Sequence, residues 1–174
     1  NSTPNGSLNP ALGLTGIRLC LAEPVMFRTQ MRAILRAAAH GPVRMMWPMI
    51  TSISEVRQCL IHLDTAQRQL TERGETFGPV SIGCMIEIPS AAMTVGSILK
   101  LVDFVSIGTN DLIQYLLSVD RGDDSVSHLY QPGHPAVLKT LQHIIRTANR
   151  MEKGVSICGE MAGDTVFTRL LLGM

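Results

Sequence analysis

A parallel α/β fold is what this 174-residue sequence predicts, on three observations. Short apolar runs alternate with longer segments of helical period; the runs are nearly continuous in apolar residues; and capping or turn residues mark the junctions. Taken in order, GIRLCLA (16–22) reads as a strand, and PVMFRTQMRAILRAAA (24–39) as a helix with Val25, Met31, Ile34 and Leu35 near one face. VRMMWPMI (43–50) is the next strand, followed by a helix over 52–74 that Ser52 or Ser54 can cap and Gly74 can end. PVSIGCMIEIP (79–89) is a third strand, and Pro89 with Ser90 opens a helix running to Leu101. VDFVSIGTND (102–111) is a fourth strand that enters a polar loop at Asn110 and Asp111, and residues 134–154 form a helix with Gly154 in the stop position. VSICGE (155–160) is the fifth strand, leading into DTVFTRLLLGM (164–174).

Five strands each followed by a helix imply parallel pairing with right-handed crossovers, in an open doubly wound sheet or a (β/α) barrel. A complete eight-unit barrel takes ~250 residues, with about 200 near the lower limit. A barrel here is therefore expected to be part of one. The opening NSTPNGS is rich in Asn, Ser, Gly and Pro and reads as a loose tail or linker, residues 1–8, before a domain spanning 9–174.

The chain is 45% hydrophobic and 17% charged, a profile that suits one globular domain. With 15 basic and 14 acidic side chains it offers no electrostatic case for nucleic acid, and no polybasic membrane patch is present. No apolar run approaches the roughly 18 residues of a membrane span, so a cytoplasmic protein is expected. The four cysteines have no metal-ligand spacing; Cys20, Cys59 and Cys84 read as core residues. The ten methionines read as core packing, and none of the five histidines falls at a strand end. No phosphate-binding glycine loop of either common nucleotide type occurs.

In both architectures ligands bind at the carboxyl ends of the strands. Three successive strands deliver polar or reactive groups there: Glu87, then Asn110 and Asp111, then Cys158. Glu87 lies among Ile86, Ile88 and Pro89, where a carboxylate must be paired, protonated or bound to metal. Capping of the next helix is an alternative for Glu87, and an N-cap role for Asp111. Together they supply two hard oxygen donors suited to Mg²⁺. Arg121, in the charged stretch SVDRGDD, is either a surface salt-bridge partner or a planar fork for phosphate or carboxylate. Cys158, between Ile157 and Gly159, is either a small buried hydrophobe or an acid donating a proton.

At CMIEIPSAA, DFVSIGTNDLIQYLLSVDRGDD and ICGEMAGD the chain resembles the phosphoenolpyruvate-binding domain of enzyme I of the bacterial phosphoenolpyruvate:sugar phosphotransferase system. Pyruvate phosphate dikinase and phosphoenolpyruvate synthase carry the same domain type, while SHLYQPGHPAVL and NPALGLTGIRL favour enzyme I or its nitrogen-related paralogue. The likeness runs from about Asn9 to Met174. It implies a partial (β/α)8 TIM barrel of about five βα units. It also implies Glu87 and Asp111 as Mg²⁺ ligands, Asn110 and Arg121 as contacts to phosphoenolpyruvate, and Cys158 as the proton donor to C3 of the enolate. The implied reaction is phosphoryl transfer to a protein histidine with release of pyruvate.

The departures are equally specific. The family's phosphoryl-accepting His sits in a Gly-rich Ser-His motif of a separate domain, through which the phosphocarrier protein HPr is met, and no such motif occurs here. Two phosphate-binding arginines of the family come from strands upstream of Asn9, an Arg is usual where this chain has Thr15, and the chain stops at LLLGM before the last barrel strand. The expectation is an internal segment of a phosphoenolpyruvate-protein phosphotransferase that is a homodimer when intact. The alternatives are a truncated, non-catalytic binding module of the family, a dikinase or synthase-type enzyme, and an Mg²⁺-dependent enolate lyase on a related barrel.

Overall fold

The computed structural model describes residues 10–174; the predicted tail, residues 1–8, lies outside them. Four strands form one parallel sheet in sequential order: β1 (Val43–Trp47), β2 (Val80–Ile86), β3 (Phe104–Gly108) and β4 (Gly154–Cys158). A doubly wound sheet reverses its strand order at a switch point. This one does not, so the chain forms an arc of a (β/α) barrel, partial and unclosed.

The first predicted strand is a helix. GIRLCLA forms α1 (Ile17–Ala22), which passes through Glu23 into α2 (Pro24–Ala37) with Pro24 in the first turn. Seven residues with Ile17, Cys20 and Leu21 apolar satisfy a helical stripe as well as a strand, and length alone cannot separate the two. Ile17 is fully buried, with Cys20 and Leu21 packed against the core. On α2 the buried positions are Phe27, Met31 and Leu35, whereas Val25, expected on that face, is exposed.

Helix α3 (Ile53–Glu72) is capped by Ser52 in a reciprocal box: its Oγ accepts from the Glu55 N–H while the Glu55 carboxylate accepts from the Ser52 N–H. Gly74, with φ of 66°, follows its end as expected. The helix predicted over 90–101 is two short ones, α4 (Pro89–Met93) and α5 (Val95–Ile98), parted at Thr94, whose hydroxyl donates to the Ser90 carbonyl. The polar loop expected at Asn110 is the first turn of α6 (Thr109–Leu117). After it come α7 (Pro135–Arg150), α8 (Glu160–Gly163) and α9 (Thr165–Leu172). Gly154 does not stop α7; the left-handed turn falls on Glu152, and Gly154 starts β4.

The parallel register sorts the strand residues into two faces. Met45, Ile82 and the pairs Trp47↔Cys84↔Val105↔Val155 and Ile86↔Ile107↔Ile157 point to the helices and carry the core, with Val105 and Ile107 fully buried. Arg44, Ser81, Met46, Gly83, Phe104, Met85, Ser106 and Cys158 occupy the other face, the concave side of the arc. There the Arg44 guanidinium stacks 3.9 Å from the Phe104 ring centroid. Cys59 and Cys84 are buried and Cys20 is partly buried, as predicted, and all four cysteines are free thiols. Not every methionine is core: Met26, Met46 and Met93 are exposed. No helix among the described residues is long and apolar enough to cross a membrane.

Candidate functional site

Three residues reach one row at the carboxyl rim of the concave face. Ile86 pairs with Ile107 and Gly108 pairs with Cys158, so Glu87, one residue beyond β2, stands beside Gly108 with Cys158 on its far side. Gly108 is required by this crowding: a Cβ there would lie 2.7 Å from Glu87 Oε2 and 2.9 Å from Met85 Sδ.

Glu87 is only 4% exposed. Its Oε1 accepts from the Met49 N–H at 2.7 Å, an N–H aimed there by a left-handed backbone at Met49 (φ 57°). A non-glycine residue held in that region is strained, and such strain gathers at functional sites. Burial pushes the Glu87 carboxyl up to about 7, and the nearby Asp111 carboxylate adds to the rise, against the lowering by the Met49 N–H and Arg121. Glu87 makes no cap hydrogen bond to α4, whose N-cap is Ile88, and no ion pair among the described residues.

Asp111 sits in the first turn of α6 behind Gly108, which rules out the N-cap alternative. Its Oδ1 lies 3.4 Å from Arg121 Nη2. That pair is a third or more exposed on both sides, so as a stability element it is worth little; its interest is positional. Asn110 is held twice: its Oδ1 accepts from the Glu160 N–H at 2.9 Å and its carbonyl accepts from Tyr130 Oη at 3.3 Å. With Oδ1 engaged, the amide Nδ2 is left as the donor of the side chain. Gly159, with φ of 99°, makes room for this approach, since a Cβ there would lie 2.8 Å from Asn110 Oδ1. Cys158 ends β4 with its thiol donating to the Ile107 carbonyl at 3.4 Å and accepting from Ser106 Oγ at 3.6 Å.

Three of the five predicted residues thus share one cleft, while Asn110 and Cys158 stand at the neighbouring β3 and β4 ends without lining it. Glu87, Asp111 and Arg121 line a cleft of about 390 Å³ together with Thr15, Met49, Gln114 and Tyr115. Sequence reading missed Met49, Gln114, Tyr115 and Tyr130. Gln114 and Tyr115 follow Asp111 by three and four positions, the spacing of one helix face, a signal hidden once α6 was read as loop. Tyr115 Oη donates to the Ala11 carbonyl, tying the segment before α1 across the cleft. Met49 acts through its backbone, for which side-chain identity carries no sign.

The donor set suits a divalent cation. Two carboxylates close together with one deeply buried are costly unless a proton or cation offsets them. No group of three or more His, Cys, Asp or Glu residues suited to a metal occurs among the described residues. A metal held here by two carboxylates would complete its shell with water or substrate oxygens, as small hard cations do.

The sequence matches the family described as "PEP-utilising enzyme, PEP-binding domain" over residues 4–174. The phosphoenolpyruvate-protein phosphotransferase of Cupriavidus necator is 56% identical over 97% of this chain and 29% of its own length. Those of Priestia megaterium and Bacillus subtilis are 46% and 44% identical over 96% of the chain and 29% and 30% of theirs. The chain spans about three-tenths of the length of these relatives. Among solved structures, a citrate lyase from Burkholderia xenovorans superposes with a TM-score of 0.60 at 20% identity, covering 82% of this chain and 46% of that one, a likeness of fold. By a match that takes in nearly every residue and relatives 44% to 56% identical, the chain belongs to the PEP-utilising enzyme family and falls within its PEP-binding domain.

Proposed function

We propose that this chain carries part of the phosphoenolpyruvate site of a phosphoenolpyruvate-protein phosphotransferase. The observation that carries the reading is the cleft at the strand ends in which buried Glu87 meets Asp111 and Arg121, with Asn110 and Cys158 at the adjoining ends of β3 and β4. Glu87 and Asp111 would hold Mg²⁺, favoured by their hard oxygens and the shell left for water and substrate. The ion, when bound, supplies positive charge to the phosphate and to the oxygen left as enolate.

The chain's own residues do the rest. Asn110 presents its amide Nδ2 to the phosphate, and the Arg121 guanidinium neutralises charge as a planar donor fork. The bridging P–O bond breaks, the phosphoryl group passes to a histidine nitrogen of another domain, and the electron pair stays on the enolate. Cys158 gives its thiol proton to C3, and pyruvate leaves. Its place at the carboxyl end of β4, on the concave face and paired with Gly108 beside Glu87, supports that role. The resemblance extends the reading to the whole protein: a cytoplasmic homodimer that passes the phosphoryl group on to HPr.

Isothermal titration tests the binding half of this reading. Phosphoenolpyruvate is expected to bind the chain when Mg²⁺ is present and to lose that binding in Glu87→Gln. Binding that ignores both Mg²⁺ and Glu87 would place the ligand elsewhere.

A further inference from the structure

Arg121 lies in the connection between α6 and α7, residues 118–134, and nothing in a loop of that length fixes a guanidinium by itself. One side chain catches the returning chain. The Gln114 carbonyl accepts from the Val119 N–H at 3.0 Å, just after Ser118 turns the backbone through a left-handed conformation (φ 55°). The Gln114 side-chain Oε1 then accepts from the Arg121 N–H at 3.2 Å. Asp111, three positions before Gln114 and on the same helix face, meets the Arg121 guanidinium at 3.4 Å. Arg121 is therefore held at two points, its backbone by Gln114 and its fork by Asp111. At the far end of the same connection, Tyr130 Oη donates to the Asn110 carbonyl at 3.3 Å, so both ends of the loop are tied to α6.

The geometry points to Gln114 as the positioning residue for Arg121 in substrate binding, an inference that rests on the proposed function of the cleft. The two holds are not equivalent. A cation bound at Glu87 and Asp111 competes with Arg121 for the Asp111 carboxylate and frees the guanidinium to turn to the phosphate. The Gln114 contact, made to the backbone, survives that change and keeps the arm within reach. Gln114 touches neither phosphate nor metal in this scheme; its part is to limit where Arg121 can go, which lowers the ordering cost of binding.

Amide hydrogen exchange on the whole chain, followed by titration, tests this. Gln114→Met keeps the length and packing of the side chain but removes the acceptor, and Gln114→Glu keeps the acceptor. The Arg121 N–H is expected to be protected in the parent and in Gln114→Glu and to lose protection in Gln114→Met. With Mg²⁺ saturating, Gln114→Met is expected to weaken phosphoenolpyruvate binding about tenfold, the scale of other outer contacts, while Mg²⁺ binding stays unchanged. Equal exchange at Arg121 in parent and Gln114→Met overturns the hold. Lost protection with undiminished phosphoenolpyruvate affinity overturns the role in binding. A parent chain that takes no phosphoenolpyruvate refutes the proposed function instead, and the exchange comparison still decides whether Gln114 holds Arg121.

Discussion

Glu87 concentrates the chemistry of this chain in one side chain. Its carboxyl is raised from 4.5 to about 7, chiefly because it is buried. A folded-state pKa above the unfolded value means that the folded protein binds the proton more tightly. The stability it contributes is therefore fully present below about pH 4.5 and is lost as pH rises through about 7. Metal-free parent chain is expected to lose more stability than Glu87→Gln between pH 5 and pH 8 in urea denaturation. Identical pH slopes for the two proteins would mean that the buried carboxyl is not the source. At this scale the sequence was informative for side chains that announce themselves: a Glu between isoleucines, an Asn-Asp pair after an apolar strand, a Cys before a glycine. It was silent on Met49, whose contribution is a backbone N–H, and on Gln114, whose hold on Arg121 depends on where a loop returns.

At the level of elements, junction chemistry decided what periodicity left open. The capping box at Ser52 and Glu55 ties down four backbone or hydroxyl donors at the start of α3, counting the two of Thr51, so Ser52→Ala is expected to cost about 1 kcal/mol, read as a shift in the urea midpoint at unchanged slope. An unshifted midpoint would show that the Glu55 contacts suffice alone. Ser52, Gly74 and Pro89 were legible because each satisfies a local requirement of its own turn. GIRLCLA was not, because its apolar spacing fits a strand and a helix equally and only burial of Ile17 against α2 and the sheet selects the helix. α6 was hidden by its polar first turn, where the binding candidates Asn110 and Asp111 read equally as a loop and Gly108, not either of them, is the N-cap. Function and local helix signal compete for the same positions there.

Taken whole, the molecule is four βα layers of a barrel with both sheet edges open. Among the described residues β1 pairs only with β2 and β4 only with β3, and α9 leaves Val166, Leu170 and Leu172 exposed. Unpaired edges and uncovered apolar residues recruit other chains. The isolated chain is expected to self-associate in light scattering at micromolar concentration; a monodisperse monomer would show that its edges are guarded. The arc was readable from alternation of elements and from the likeness of its rim motifs, while the strand count needed the folded chain. The most direct test of the central claim is a thermal melt of this chain alone, with Mg²⁺, and with Mg²⁺ plus phosphoenolpyruvate, beside Asp111→Ala. A cooperative transition that the ligand pair raises in the parent but not in the variant is the predicted result, because only a folded rim can bind both. A transition indifferent to the pair in the parent would contradict the account, since the rim would then lack the site its geometry describes.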